Sequence, residues 1–140
     1  MTSIYVASKV THAPLWQKLR AEGLPINSTW IDFGEYGTIT NWSDHWVKCI
    51  NEASSATFCL AYCETGEVLK GALCEIGASL AAGKRVLFVG NYEYVKAKRY
   101  SIMEHPLVTK FASLDAALEI INAYVDEDDL IKSLEQMVTK

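Results

Sequence analysis

Four carboxylates occupy places in this sequence where an acid could take part in chemistry. Asp32 ends one apolar segment, Glu64 and Glu67 follow another, and Glu75 lies inside an apolar helical pattern. A helix in that position is usually buried, and a carboxylate is costly to bury without a purpose. Two carboxylates in different environments suit glycosyl transfer, in which one attacks the anomeric carbon and the other protonates the departing group.

Several common catalytic and binding motifs are missing from the chain. No GxGxxG pattern follows an apolar strand, no P-loop occurs, and no GxSxG pattern indicates a hydrolase serine. The four cysteines, Cys49, Cys59, Cys63 and Cys74, form no paired CxxC spacing and have no histidine cluster beside them. They are expected to be buried free thiols and not metal ligands. We therefore expect neither a metal nor an organic cofactor.

Length and composition predict one globular domain. The chain has 140 residues, of which 50% are hydrophobic and 21% charged, which is ordinary for a soluble protein. The formal net charge of −4 argues against nucleic acid as the main partner. No apolar window is long enough to span a membrane, and no basic segment followed by an apolar stretch opens the chain. These patterns predict a cytoplasmic protein without a membrane partner.

Strand and helix patterns alternate along most of the chain. Apolar runs at 3–8, 26–32, 56–62 and 85–89 predict strands, and 107–111 predicts a short edge strand. Helical periods cover 15–22, 42–53, 69–82 and 113–125, with Trp46, Val47 and Ile50 as the expected buried stripe of the second helix. The alternation predicts an α/β fold: a doubly wound, mostly parallel sheet of four to five strands flanked by helices, flavodoxin-like or Rossmann-like. Residues 1–125 would form this domain.

The last fifteen residues, 126–140, predict an amphipathic helix. It opens with acidic residues, which suit a helix N-terminus, and carries an apolar stripe of Leu130, Ile131, Leu134 and Met137. The helix either belongs to the same domain or forms an oligomer interface. Because the stripe exceeds what a short tail needs for solubility, we expect a homodimer or higher homo-oligomer.

Ligands of parallel sheets bind outside the carboxyl ends of the strands. By this rule, the candidate ligand-binding residues are Ser8 and Lys9 after the first strand, Asp32 after the second, Tyr62 and Glu67 around the third, and Asn91 after the fourth. Trp30 and Tyr62 could stack on a base, although both could equally be core aromatics. His12 could cap a helix instead of contacting a ligand, and Glu67 could be a solvated loop charge.

The segment 71–78 resembles a known catalytic motif. Its Gly71, Glu75 and Gly77, followed by Ala82 to Val86 before a strand, resemble the Gly-x-x-x-Glu-x-Gly motif of the nucleoside 2-deoxyribosyltransferase family. That family includes the related deoxynucleoside-monophosphate N-glycosidases. Residues 4–8 are similar to the first strand and substrate-binding turn of the family, so the chain is similar to a divergent branch of it with the same fold.

The resemblance implies roles for individual residues. Glu75 takes the role of the nucleophile, and Asp32 or Glu67 would protonate the leaving base. The chain departs from the family at residues 67–70, where Glu67 is the only acid near the place of a usual aspartate and Lys70 precedes the helix. The remaining candidates are substrate-binding residues: Ser8, Lys9, His12, Trp30, Tyr62, Lys70, Gly71 and Asn91.

Two functional hypotheses follow for a nucleoside or nucleotide ligand. In the first, the protein cleaves an N-glycosidic bond, or exchanges the base, through a covalent glycosyl–glutamate intermediate with retention. In the second, the protein binds a nucleotide derivative without catalysis, which the missing aspartate and Lys70 motivate. If the ligand carries a 5′-phosphate, Lys9 is its first candidate partner and Lys70 its second.

Overall fold

One parallel sheet with helices on both faces forms the fold. The computed structural model describes residues 2–33, 38–90 and 101–123. Within these ranges the four strands lie in chain order and all neighbours are parallel, which confirms the α/β prediction. The elements are β1 (Ile4–Ala7), α1 (Ala13–Ala21), α2 (Trp42–Ser55), β2 (Phe58–Cys63), α3 (Gly71–Ala81), β3 (Arg85–Gly90), β4 (Val108–Phe111) and α4 (Leu114–Ala123), with 3₁₀ turns at Val10–His12, Thr29–Asp32 and Ile102–Glu104.

The strands are continuous apolar runs because both faces of the sheet are covered. All four residues of β1 are buried. Tyr5 faces α2 and α3, where it lies beside Cys49 and Glu75. Tyr62 in β2 contacts α1 on the opposite face, with its ring centroid 5.7 Å from that of Trp16. The sheet is therefore doubly wound, as expected.

The strand predicted at 26–32 is wrong beyond its first residue. Ile26 makes a single parallel bridge to Ile4, and the chain then turns into the 3₁₀ turn Thr29–Asp32. Hydrogen bonds from side chains replace strand pairing at this edge of β1. The Ser28 hydroxyl accepts the Val6 N–H at 2.7 Å, and the Trp30 indole N–H donates to the Val6 carbonyl at 2.8 Å. Because these bonds satisfy the edge of β1, no further ladder is needed there.

The buried stripe predicted for α2 is also wrong. Cys49 and Ala53 are its buried residues. Ile50 is only half-buried, and Trp46 and Val47 are 39% and 58% exposed. Small residues face α3 because the two helices approach closely. At this contact the Ser79 hydroxyl of α3 donates to the Ala53 carbonyl at 2.9 Å. The large apolar residues of α2 are thereby displaced to the rim of the interface.

The remaining predictions concern single elements and residues. Helix α3 ends before Gly83, whose φ of +76° suits glycine, and β4 is the short edge strand predicted at 107–111. All four cysteines are free thiols, of which Cys74 is exposed and not buried as expected. Asn91 and the predicted helix at 126–140 lie outside the described residues. No helix in the described ranges has the length and apolarity needed to cross a membrane.

Two glycines give a matched test of this packing. Gly90 has φ +128°, and a Cβ there would lie 1.9 Å from the Cys63 carbonyl oxygen in the neighbouring strand. Gly90→Ala should therefore destabilise the protein by more than the roughly 1–3 kcal/mol that the backbone conformation alone costs. Gly77→Ala should stabilise it by about 0.5–1 kcal/mol, because a Cβ in the middle of α3 meets nothing within 4 Å. Urea denaturation of the two variants measures both changes, and equal effects would contradict the packing described.

Candidate active site

A crevice opens between the carboxyl ends of β1 and β2. The chain leaves β1 towards α1 on one face and leaves β2 towards α3 on the other, so this is the switch point at which doubly wound sheets bind ligands. A cavity of about 190 Å³ lies there, between the turn after β1, the first turns of α2 and the start of α3. Six of the predicted site residues line it: Ser8, Lys9, Trp30, Lys70, Gly71 and Glu75.

Asp32 is not among the lining residues of this cavity. It forms a bidentate ion pair with Arg20 of α1, with N–O distances of 2.7 and 2.9 Å. The guanidinium holds the pKa of Asp32 below its ordinary value. The side chains are 39% and 49% exposed, so the pair ties the 3₁₀ turn to α1 at the surface. An ionised carboxylate in this position is poorly suited to donate a proton to a leaving group.

Three other predicted residues, His12, Glu67 and Tyr62, form a separate cluster and are not among the lining residues of the cavity. The Nε2 atom of His12 lies 2.9 and 3.0 Å from the two carboxylate oxygens of Glu67. The Glu64 N–H also donates to Glu67, at 2.8 Å, and the imidazole packs edge-on against Tyr62 with centroids 4.9 Å apart. The contacts join the turn after β1 to the loop after β2. Both segments line the cavity, so this cluster sets the distance between its walls.

Glu75 is the buried carboxyl group of the cavity. Only 8% of the residue is exposed, and burial raises its pKa from 4.5 to about 7, with the nearby Glu52 carboxylate adding to the rise. The Tyr5 hydroxyl acts in the opposite direction, because it stabilises the ionised form. Glu75 is therefore poised to exist in both protonation states near neutral pH, as catalytic carboxyl groups often are.

Tyr5 lies directly behind Glu75, in β1. Burial and the Glu75 carboxylate raise the pKa of the phenol well above its ordinary value, so it stays neutral. In the part of the chain that the structure describes, its hydroxyl has no hydrogen-bond partner of full geometry, although it lies close enough to Glu75 to influence it. Burial also raises the pKa of the neighbouring Cys49 to about 11, so this residue is a thiol and not a thiolate.

Three cavity residues that are not among the predicted site residues, Trp42, His45 and Trp46, lie on the first turns of α2. The imidazole of His45 has the rings of Trp42 and Trp46 around it, at 5.6 and 6.5 Å, and its Nε2 atom lies 3.6 Å from Cys49 Sγ. Trp46 fits over Gly71, where a Cβ would lie 2.8 Å from the indole. The helical spacing of positions 42, 45, 46 and 49 was the available signal, whereas the sequence predicted a buried stripe of Trp46, Val47 and Ile50.

No group of three or more His, Cys, Asp or Glu side chains in the described ranges is arranged to hold a metal ion. Among the described residues, the polar side chains that line the cavity are one hydroxyl, two ammonium groups, one imidazole and one buried carboxyl, and aromatic rings lie among them. That the protein needs no cofactor stays a prediction.

Comparison with known proteins supports the fold. No protein-family model matches the chain, and no curated protein sequence does. Among solved structures, the chain is similar to a 2-deoxyribosyltransferase from Bacillus psychrosaccharolyticus, with a TM-score of 0.63, 18% identity, and coverage of 92% of this chain and 96% of the enzyme. It is also similar to the CMP N-glycosidase BcmB from Clostridium botulinum, with a TM-score of 0.53, 12% identity, and coverage of 88% and 100%. At these identities the chain shares their fold, and membership of their family stays a prediction.

The raised pKa of Glu75 predicts how stability depends on pH. Between pH 4.5 and about 7 the unfolded chain releases this proton while the folded protein retains it, so the free energy of unfolding falls as pH rises. The loss approaches about 3 kcal/mol and is complete above the folded pKa. Glu75→Gln cannot ionise, so its free energy of unfolding lacks this loss. The difference in stability between the variant and the wild type should therefore shift by about that amount, in favour of the variant, between pH 4 and pH 8. Denaturant unfolding of both proteins at both pH values measures this shift. The same change in stability with pH in the variant and the wild type would contradict the burial of the Glu75 carboxyl.

Proposed function

We propose that the protein cleaves the N-glycosidic bond of a nucleoside or nucleotide, or exchanges its base, with Glu75 as the nucleophile. The observation that supports this most directly is a buried carboxyl at the switch point of the sheet, inside a cavity that also holds cationic and aromatic side chains. Two proteins of the same fold are a 2-deoxyribosyltransferase and a CMP N-glycosidase by name. Both names denote chemistry at the same C1′–N bond.

The reaction begins with attack of a Glu75 carboxylate oxygen on C1′. A C–O ester bond forms, the C1′–N bond breaks, and its electron pair passes to the base, which then takes up a proton. In the second half, water or another base attacks C1′ and the ester bond returns its electrons to Glu75. Two displacements at one carbon retain the configuration, and a covalent glycosyl–enzyme ester links them.

The burial of Glu75 suits this role. Ionised Glu75 is poorly solvated, whereas the ester that it forms is neutral, so burial favours ester formation over the free carboxylate. Positive charge develops on the sugar in the transition state and attracts the carboxylate in a low-dielectric site. The Tyr5 hydroxyl supports the ionised form from behind and leaves the opposite side of the carboxylate open to the cavity.

Two lysines support recognition of a 5′-phosphate. Lys9 follows β1 and Lys70 precedes α3, and both line the cavity. Neither forms a salt bridge with a carboxylate within residues 2–33, 38–90 and 101–123. The α3 N-terminus beside Lys70 adds backbone N–H groups that favour an anion. A nucleoside monophosphate would thus place its phosphate between these lysines and its sugar near Glu75.

Aromatic side chains support recognition of the base. Trp30, Trp42 and Trp46 line the cavity, and the last two are 41% and 39% exposed. Partly exposed indoles offer flat apolar faces on which a nucleobase can stack, typically worth about 1–3 kcal/mol for each base. The hydrogen bond from Trp30 to Val6 holds the indole in place, so Trp30 has the best-defined position of the three.

The first test of the nucleophile is turnover by Glu75→Gln. The substrates are the ribonucleoside and 2′-deoxyribonucleoside 5′-monophosphates of the common bases and their parent nucleosides, with released base measured by chromatography. The variant should fold and lose about three orders of magnitude or more in kcat, because glutamine cannot form the ester. Turnover of wild-type rate by the variant would exclude Glu75 as the nucleophile. A thermal shift of the wild type without any base release would instead favour the non-catalytic binder.

Tyr5→Phe tests how the carboxylate is tuned. Wild-type activity should rise with pH through about 7 as Glu75 ionises. Removing the hydroxyl removes the influence that favours the ionised form, so the rising limb of the pH–kcat profile should move to higher pH. The maximum rate should be retained at pH values above the new limb. An unchanged limb in a folded, active variant would show that the hydroxyl does not act on Glu75.

Lys9→Ala and Lys70→Ala test the phosphate. A charge-assisted contact is worth about 1.5–3 kcal/mol, so Lys9→Ala should weaken a nucleoside monophosphate by roughly ten- to a hundredfold. The parent nucleoside should be almost unaffected, and Lys70→Ala should show the same selectivity to a smaller extent. Lys18→Ala, at an exposed position on α1, is the matched control. Calorimetric Kd values decide the matter, and equal losses for both ligands would exclude a phosphate role.

A further inference from the structure

The two carboxylates that the sequence offered as proton donors do not line the cavity. Asp32 pairs with Arg20 at the surface, and Glu67 is bound to His12. The leaving base still needs a proton, because an unprotonated base departs as a poorly stabilised anion. Within the described residues, the titratable side chains that line the cavity are Lys9, His45, Lys70 and Glu75. Glu75 is occupied by the attack on C1′, which leaves three groups that could supply the proton.

We propose that His45 is the acid that protonates the departing base in the first half of the reaction and the base that deprotonates water in the second. This inference rests on the proposed function and goes beyond it, since it assigns the second catalytic group to α2. Histidine is the side chain whose ordinary charge change falls between pH 5 and 8, which suits both donation and acceptance of a proton near neutral pH. Lysine ammonium groups release their proton far less readily.

The surroundings of His45 orient its ring for this task. The Nε2 atom faces Cys49 Sγ at 3.6 Å, one helical turn along α2, and the thiol is protonated. Because Cys49 Sγ lies against Nε2, the nitrogen that exchanges a proton with the ligand is Nδ1. The neutral imidazole then keeps its proton on Nε2, where the thiol sulfur can accept it, and Nδ1 is free to take a proton. Phe33, Trp42 and Trp46 surround the ring with edge-to-face contacts. In the part of the chain that the structure describes, the other charged or titratable groups of the cavity are Lys9, Lys70 and Glu75, and Cys49 lies against the ring.

The same aromatic residues explain why the acid lies on α2. Trp42 and Trp46 flank His45 and also line the cavity, so a base stacked on either indole lies next to the imidazole. Glu75 approaches from α3, which packs against α2. The nucleophile and the acid are therefore on adjacent helices, and they can act on opposite ends of the same C1′–N bond.

Over the two halves of the reaction, every proton that His45 gives up is returned to it. In the first half, imidazolium gives its proton to the base nitrogen as the C1′–N electrons arrive there, and neutral imidazole remains. In the second half, that imidazole takes a proton from the attacking water as its oxygen bonds to C1′. Carboxylate and imidazolium are both restored, and the overall reaction consumes one water and releases a free base and a free sugar.

The test compares leaving groups that do and do not need a proton. One set is the common ribonucleoside and 2′-deoxyribonucleoside 5′-monophosphates, and the other is 4-nitrophenyl β-ribofuranoside 5-phosphate with its 2-deoxy counterpart, which release nitrophenolate without protonation. His45→Gln should lower kcat/KM on the nucleotides, which reports the first half of the reaction, by about 10²–10⁴-fold and remove the high-pH limb of its pH profile. On the nitrophenyl probes it should lower kcat/KM less than threefold, whereas the loss of the base in the second half should lower kcat on both sets, and Glu75→Gln should abolish turnover of both. His105→Gln, a histidine outside the cavity, is the matched control and should change neither.

The outcomes separate this inference from the proposed function. Equal losses of kcat/KM on both kinds of substrate, an unchanged kcat/KM on nucleotides, or a high-pH limb that persists in His45→Gln would each overturn the assignment of His45. If His45→Gln fails to fold, the wild-type profile decides: the high-pH limb should be present with nucleotides and absent with the nitrophenyl probes, and any other pattern overturns the assignment. A wild type that turns over neither set would refute glycosidic cleavage itself, and this inference with it.

Discussion

The parallel pairing of β1 with β2 is the constraint on which the rest of the site depends. Because the connection after β1 crosses one face of the sheet and the connection after β2 crosses the other, their carboxyl ends cannot both be covered, and a crevice remains. The turn after β1, the start of α3 and the first turns of α2 all reach this crevice. Every group to which we assign a role lies on one of these three segments or directly behind them.

The carboxyl of Glu75 shows how such a site is built at the expense of stability. Its burial makes ionisation unfavourable, and no salt bridge within the described residues offsets this. Tyr5 offsets part of the cost without forming a full hydrogen bond, so the carboxylate keeps free lone pairs towards the cavity. A site that satisfied Glu75 completely would be more stable and less reactive, which is the usual exchange between stability and activity.

Polar side chains outside the cavity hold its walls in place. Ser28 and Trp30 satisfy the open edge of β1, and the bond between His12 and Glu67 joins the two loops on either side of the crevice. Glu52 fixes the 3₁₀ turn after Asn27 by accepting from the Thr29 hydroxyl at 2.9 Å, and its charge also raises the pKa of Glu75. Residues that resemble catalytic groups in the sequence can therefore serve the site by positioning its parts.

The sequence by itself determined the alternation of strands and helices, the parallel sheet and the place of Glu75 on a helix after β2, because these follow from local apolar periods and from the rule for ligands at strand ends. It did not determine which acids share a cavity. Asp32 and Glu67 have suitable positions along the chain, but Arg20 and His12, which bind them, are brought there only by folding. The aromatic residues around His45 follow a helical period that a core stripe would also produce. Only the close contact of α2 with α3 through small residues decided that these side chains face the cavity, because packing across the chain and not the local pattern selects which face of a helix is buried.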